Sequence, residues 1–76
     1  MQLTDKQLKI LYIIKDFIIE HGYSPTVREI GKLAGLRSSA TVDTYLKILQ
    51  KKGYIKKVEG KMRTIRIVKR WLYGKI

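Results

Sequence analysis

Residues 35–52 read GLRSSATVDTYLKILQKK, a glycine-led turn that runs into a stretch with helical periodicity. Apolar side chains recur at helical spacing at Val42, Leu46 and Leu49, which predicts the face that packs against a core. At about 100° per residue, the opposite face is small and hydroxylated at its start and basic at its end, with Ala40, Thr44, Lys47 and Lys51. Such a helix can enter a groove lined with phosphates, so we expect the rest of the chain to hold it in position.

A long helix is predicted before this stretch, over residues 5–21. Thr4 and Gln7 form a capping box, in which the threonine side chain accepts from the Gln7 amide and the Gln7 side chain accepts from the Thr4 amide. Gly22 is expected to end the helix. We expect the inward face of this helix to carry Ile10, Leu11, Ile14, Phe17 and Ile18.

A second, shorter helix is predicted over residues 27–34. Thr26 and Glu29 form another capping box, and Gly35 suits the left-handed position that follows a helix end. Gly31 has no Cβ and therefore allows another helix to approach closely. The expected inward residues of this helix are Val27, Ile30, Leu33 and Ala34.

Two helices joined by a short glycine-containing turn are typical of a helix-turn-helix. Ser38 is the best candidate for the N-cap of the third helix, which we expect over residues 39–52. The fold class predicted from the helices and the strands described next is mainly α with a small β-hairpin, a three-helix winged helix-turn-helix.

A β-hairpin is predicted after the third helix. Residues 54–58 and 64–68 are rich in β-branched or alternating side chains, and residues 59–61 form the turn between them. In this context the hairpin is interpreted as a wing. We divide the chain into a winged helix-turn-helix domain over residues 1–68 and a basic, aromatic tail over residues 69–76, which extends the strand, folds back on the first helix or docks on a partner.

Charge is distributed unevenly along the 76 residues, which carry a net charge of +11. Residues 1–36 contain five Lys or Arg and four Asp or Glu, whereas residues 37–76 contain twelve and two. A basic half beside a nearly neutral half indicates a polyanionic partner on one side of the molecule. Nucleic acid is the first candidate, an anionic membrane surface the second.

Several other function classes have little support in the sequence. The longest apolar run, residues 10–14, is too short to span a membrane, and no signal-peptide pattern is present. With no cysteine and a single histidine, His21, we expect no metal site and no cofactor. We expect a cytoplasmic protein of bacterial, archaeal or phage origin that is not an enzyme.

The order of motifs resembles one family closely. Residues 22–30 read GYSPTVREI, residues 35–42 follow GLxSSxTV, and residues 46–55 follow LxxLxxKGYI. Together with the first capping box, these motifs are similar to the N-terminal DNA-binding domain of LexA, the bacterial SOS repressor, over about residues 2–68. The resemblance implies a winged helix-turn-helix that binds a palindromic site on double-stranded DNA as a dimer, either a weak homodimer or one formed on DNA.

The resemblance and the residue chemistry together give a set of candidate DNA contacts. By similarity, the start of the third helix reads bases and Arg28 lies near a phosphate. From residue chemistry, Arg37 suits a guanine or a phosphate, whereas Lys47 and Lys51 suit the DNA backbone. Lys61 and Arg63 flank the wing tip and can reach the neighbouring backbone or minor groove. The full candidate set is Thr26, Arg28, Arg37, Ser38, Ser39, Ala40, Thr41, Asp43, Thr44, Lys47, Lys51, Lys61 and Arg63.

Two departures from the family pattern bear on function. Proteins of the family continue into a self-cleaving domain, and no such domain follows before Ile76, so autocleavage is not assigned to this chain. Ala40 and Thr44 replace longer polar side chains found in some members. The DNA sequence that a family member binds is therefore not transferred to this chain.

Two alternatives to a sequence-specific regulator remain open. The first is a winged-helix module, phage- or mobile-element-encoded, that binds another protein through the apolar side chains Leu8, Tyr12 and Ile19 or through the tail residues Trp71, Leu72 and Tyr73. We favour cover of the first of these surfaces by the wing or the tail of the same chain. The second alternative is the isolated DNA-binding domain of a self-cleaving repressor.

Overall fold

Three helices followed by a β-hairpin make up the computed structural model, which describes residues 3–68. The helices are α1 (Asp5–His21), α2 (Val27–Ala34) and α3 (Ser39–Lys51), and the strands are β1 (Ile55–Lys56) and β2 (Arg66–Ile67). The strands pair antiparallel, with Ile55 opposite Ile67 and Lys56 opposite Arg66. This architecture confirms the predicted winged helix-turn-helix. The predicted tail, residues 69–76, lies outside the described residues.

Side-chain caps define the helix starts. In α1, Thr4 Oγ1 accepts from the Gln7 amide at 3.2 Å and Gln7 Oε1 accepts from the Thr4 amide at 3.1 Å. Thr26 and Glu29 form the same reciprocal pair at the start of α2. Both capping boxes are therefore confirmed. No helix among residues 3–68 is long and apolar enough to cross a bilayer.

Helix ends and the third helix also follow the sequence pattern closely. Gly22 and Gly35 adopt left-handed backbone conformations at the ends of α1 and α2, with φ of 80° and 73°. Ser38 is the N-cap of α3. The third helix ends at Lys51, one residue earlier than expected, because Lys52 takes the C-cap position before Gly53.

The core lies where the three helices and the base of the wing meet. The predicted inward face of α3 is confirmed, since Val42, Leu46 and Leu49 are essentially inaccessible to solvent. The predicted close approach at Gly31 is confirmed as well, because a Cβ there would lie 3.2 Å from Cγ2 of Val42. Nine of the buried apolar residues form one cluster, consisting of Ile10, Leu11, Ile14, Ile30, Val42, Leu46, Leu49, Ile55 and Ile65.

Leu33 corrects the prediction for α2, because its side chain is 58% exposed instead of facing inward. The arc that α2 turns toward the protein is centred between Ile30, Ala34 and Gly31. At about 100° per residue, Leu33 lies roughly 110° from the centre of that arc. The inward arc of α2 therefore includes Gly31 and leaves out Leu33, which was predicted to face inward.

The strands are much shorter than predicted, at two residues each. Between Val58 and Thr64, side-chain bonds replace the backbone ladder. The amide of Val58 donates to Thr64 Oγ1 at 3.1 Å, and the same hydroxyl lies within hydrogen-bond distance of the carbonyls of Val58 and Lys61. Arg63 adopts a left-handed backbone with φ of 55°, which a regular strand does not allow. The predicted turn is present, with Gly60 at φ of 76°.

The second apolar face of α1 is only partly covered by the described chain. Leu8 is half-buried and packs against the core, but Tyr12 is 41% and Ile19 is 71% exposed. Within residues 3–68, the wing therefore does not cover Ile19. Cover by the tail lies outside the described residues.

Candidate nucleic-acid interface

The start of α3 presents an exposed, hydroxyl-rich helix terminus. Ser38 Oγ accepts from the amides of Ala40 and Thr41 at 3.2 and 3.4 Å. This cap fixes the first turn, and all residues from Arg37 to Thr41 are exposed. The positive end of the helix dipole at such a terminus favours an anion such as a phosphate.

The next turn of α3 offers Thr44, whose hydroxyl donates to the carbonyl of Ala40 at 3.0 Å. Because the hydroxyl proton is used inside the helix, the side chain has acceptor lone pairs and a methyl group to offer a ligand. In a DNA major groove, these suit an amino group or a thymine methyl. Ala40 and Thr41 are exposed on the preceding turn and are short enough to let the helix lie deep in a groove.

Asp43 and Lys47 form an ion pair across one turn of α3, with Lys47 Nζ 3.3 Å from Asp43 Oδ2. The lysine side chain is 71% exposed, so this pair contributes little to stability and can exchange for another partner. Asp43 is half-buried, and its carboxylate can accept from the amino group of a cytosine. Lys47 then becomes available to a phosphate.

The end of α3 is basic, but its two last lysines have different surroundings. Lys51 is exposed. Lys52 Nζ donates to Gln7 Oε1 at 3.1 Å and so connects the end of α3 to the capping box of α1. This contact helps to fix the direction of α3 relative to the long helix.

A basic groove runs between the start of α2 and the wing. The structure brings Arg28 and Lys61, both predicted to contact DNA, to the two sides of this groove. Thr26 also lines it, and as the N-cap of α2 its hydroxyl oxygen accepts from the Glu29 amide. Lys57 lies in the same groove and was missed, because nothing in the sequence distinguishes it from the other lysines of the wing.

Arg63 makes contacts within the protein. Its guanidinium donates to both carboxylate oxygens of Glu29, at 3.1 and 3.0 Å, and to the carbonyl of Ser24 at 3.0 Å. It also lies over the ring of Tyr23, 4.8 Å from the ring centre. The prediction that Arg63 contacts DNA stays a prediction, and the structure adds a role in joining the wing to α2.

Glu29 is the one titratable group of the described chain with a clearly displaced pKa. The amide of Thr26 lowers the pKa of this carboxyl most, and the guanidinium of Arg63 lowers it further. Both neighbours favour the carboxylate form. Glu29 is therefore an anion held in place near a basic groove.

Three helices, an exposed and capped third helix and a basic hairpin define a winged helix-turn-helix DNA-binding domain. The family model of the LexA DNA binding domain matches residues 1–64. The chain belongs to this family, which confirms the resemblance seen in the sequence motifs.

Several LexA repressors are similar to this chain. The LexA repressor of Pelotomaculum thermopropionicum is 48% identical over 67 residues, which cover 88% of this chain and 33% of that protein. The LexA repressor of Caldicellulosiruptor saccharolyticus is 52% identical over 67 residues, with the same coverage of both chains. That of Clostridioides difficile is 49% identical over 70 residues, covering 92% of this chain and 33% of that protein. The chain thus spans about a third of the length of the curated relatives it matches.

Proposed function

We propose that this chain is the DNA-reading part of a transcriptional repressor that binds a specific double-stranded site. The observation that carries this proposal is α3 itself, whose apolar face is locked in the core while its capped, hydroxyl-rich start is exposed. The relatives described above are LexA repressors, which supports repression over activation. Such a regulator acts on chromosomal DNA, so we propose a cytoplasmic location.

In this proposal, α3 enters the major groove with its N-terminal end against the bases. Ser39, Ala40 and Thr44 contact base edges, and Arg37 contacts a guanine or a phosphate. Ser38 holds the first turn through its cap and has its hydroxyl proton left to donate. Lys47 and Lys51 lie further along the helix and bind the DNA backbone.

The groove between α2 and the wing is proposed to follow the DNA backbone. Arg28 and Lys61 line it from opposite sides, whereas Lys57 in the same groove is paired with Glu59, with its Nζ 3.9 Å from Glu59 Oε2. Two cations that face each other across one groove suit neighbouring phosphates of one strand. The wing then lies on the backbone or in the minor groove next to the site that α3 occupies.

Two copies are proposed to bind a palindrome, as a weak homodimer or as a dimer formed on DNA. A two-fold arrangement presents α3 to two half-sites that are about one helical turn apart. Each copy then contributes its own groove and wing.

Selection of bound duplexes from a random pool tests this function. We expect an enriched inverted repeat with half-sites whose centres are about 10 base pairs apart. Enrichment of a single half-site supports reading by α3 but contradicts the dimer. Recovery of a pool that stays random at moderate salt contradicts sequence-specific binding altogether.

A further inference from the structure

Glu29 is held at the start of α2 by contacts that do not involve Arg63. Its Oε1 accepts from the Thr26 amide at 2.9 Å, and its own amide donates to Thr26 Oγ1 at 3.1 Å. The same carboxylate accepts two bonds from Arg63 through both oxygens. The carboxylate cannot follow the wing without breaking the cap of α2, so it is a fixed point for the arginine.

Arg63 is equally constrained at the wing. It is the only residue other than glycine with a positive φ among residues 3–68, and its guanidinium also donates to the Ser24 carbonyl. Two residues further on, the amide of Ile65 donates to Ser24 Oγ at 3.0 Å. The returning arm of the wing is thus tied to the turn before α2 at two neighbouring positions.

The wing has little other support along its outer half. The ladder between β1 and β2 holds two residue pairs, Ile55 with Ile67 and Lys56 with Arg66. Beyond these pairs, the side chain of Thr64 bonds only within the hairpin, to Val58 and Lys61. Beyond the buried Ile65, the outer half of the wing is joined to the helix by Arg63, which binds Glu29 on α2 and the Ser24 carbonyl just before it.

We propose that the Arg63–Glu29 pair is a clamp that sets the position of the wing, so that Lys61 and Arg28 face the same stretch of DNA backbone. This inference rests on the proposed function, in which both residues bind phosphates. Arg63 acts as a positioning residue: it fixes the wing through Glu29 and leaves phosphate binding to its neighbours.

The Glu29→Gln substitution distinguishes the clamp from an effect of the Glu29 charge alone. Removal of a negative charge near a basic groove strengthens binding to a polyanion if charge alone matters. The clamp predicts the opposite, because glutamine cannot accept two charge-assisted bonds from a guanidinium. The helix cap is retained, since Gln7 makes the same capping box at the start of α1.

Three variants carry the binding test, with the selected duplex as the probe. Glu29→Gln is expected to weaken binding by roughly 3- to 10-fold. Glu20→Gln makes the same change of charge on the exposed end of α1 and is expected to leave binding unchanged or slightly stronger. In the wild-type background, Lys61→Gln is expected to reduce the slope of log affinity against log salt concentration by about 0.9. In the Glu29→Gln background, the same substitution is expected to change that slope by almost nothing.

Two binding results would overturn the clamp. One is Glu29→Gln binding as tightly as Glu20→Gln. The other is Lys61→Gln having the same effect in both backgrounds, since the wing then reaches the DNA without the clamp. Circular dichroism and urea unfolding of each variant establish that the helices are intact.

A measurement without DNA keeps the inference separate from the proposed function. The NMR order parameters of the amides of residues 59–62 report the motion of the wing tip, and we expect them to fall from about 0.85 toward 0.6 or below in Glu29→Gln. Unchanged order parameters overturn the clamp even if the protein reads a specific site. A wild type that selects no DNA site overturns the proposed function and the DNA part of the inference, while a fall in the order parameters still identifies the clamp.

Discussion

Gly31 of α2 and Val42 of α3 pack so closely that a Cβ on Gly31 would lie 3.2 Å from the Cγ2 atom of Val42. Val42 is completely buried, and the carbonyl of Leu36 lies on another side of the same space, 3.4 Å from that Cβ. Helix α2 therefore fixes the position of α3 through a glycine, and a larger residue here displaces the helix that is proposed to read DNA.

Gly31→Ala is expected to destabilise the protein by about 1 kcal/mol, because overpacking of 1–3 kcal/mol outweighs the gain of about 1 kcal/mol in helix propensity. Urea unfolding measures the change. The double variant Gly31→Ala with Val42→Ala is the control, since a shorter side chain at position 42 relieves the contact. Strictly additive effects of the two substitutions would contradict the packing account.

Ser38→Ala is expected to lower the free energy of unfolding by about 1 kcal/mol, because two amides of the first turn of α3 lose their acceptor. Ser38→Gly is expected to cost only a few tenths of this. Ser39→Ala, one residue further on, is the matched control and is expected to change stability by less than about 0.5 kcal/mol. Equal losses at both serines in thermal or urea unfolding would rule out a specific cap at Ser38.

Glu29 is expected to make stability depend on pH in the acid range. The Thr26 amide and the Arg63 guanidinium lower the pKa of Glu29 in the folded protein, so the unfolded chain binds its proton more tightly. The stabilisation is therefore fully present above the ordinary glutamate pKa of about 4.3 and is lost as the pH falls through the lower, folded-state pKa.

Unfolding midpoints at about pH 7 and about pH 3 are the measurement for this carboxyl. We expect the difference between the two midpoints to be smaller in Glu29→Gln than in the wild type. Glu20→Gln is the control, because Glu20 is exposed on α1. Parallel pH curves for the wild type and Glu29→Gln would show that Glu29 does not contribute.

Arg37→Ala and Thr44→Ala are expected to weaken binding to the selected duplex by about 1–3 kcal/mol each. Competition with random duplex then assigns the role of each residue. Loss of a base contact lowers affinity for the selected site and not for random DNA, whereas loss of a phosphate contact lowers affinity for both equally. Lys47→Gln is the comparison for a phosphate contact, and an effect of Thr44→Ala that resembles it would remove Thr44 from the reading surface.

Local signals explain why so much of the fold could be predicted. The capping boxes at Thr4 and Thr26 span four residues each and set the helix starts, and Gly22 and Gly35 set the helix ends. The inward face of α3 follows from spacing within one helix. These features depend on neighbours along the chain, so the sequence pattern contains them.

The errors arise where distant residues decide the structure. Leu33 is exposed because the side of α2 that carries Gly31 packs against α3, and the apolar spacing of Leu33 alone does not show which side that is. The strands are short because the Thr64 side chain, in place of backbone groups, bonds to Val58 across the hairpin. Arg63 reaches Glu29 over a separation of 34 residues, and from the sequence alone it appeared as one more basic residue of the wing.

The candidate site divides in the same way. The candidate contacts between Arg37 and Thr44 could be placed at an exposed helix start from the Gly35 turn, the Ser38 cap and the periodicity that directs Val42 inward. That Arg28 and Lys61 share a groove with Lys57 depends on how the wing folds back against α2. The contact residues themselves stay predictions until binding is measured.

In the proposed complex, α3 reads bases in the major groove. Replacing the purines of the selected half-site with 7-deazapurines and its thymines with uracils removes the N7 acceptors and the C5-methyl groups of that groove and leaves the phosphates and the minor groove unchanged. We predict that substitution at a contacted position weakens the binding free energy by about 1–3 kcal/mol and leaves the salt dependence of binding unchanged. Equal affinity for the substituted and natural duplexes would contradict major-groove reading by α3.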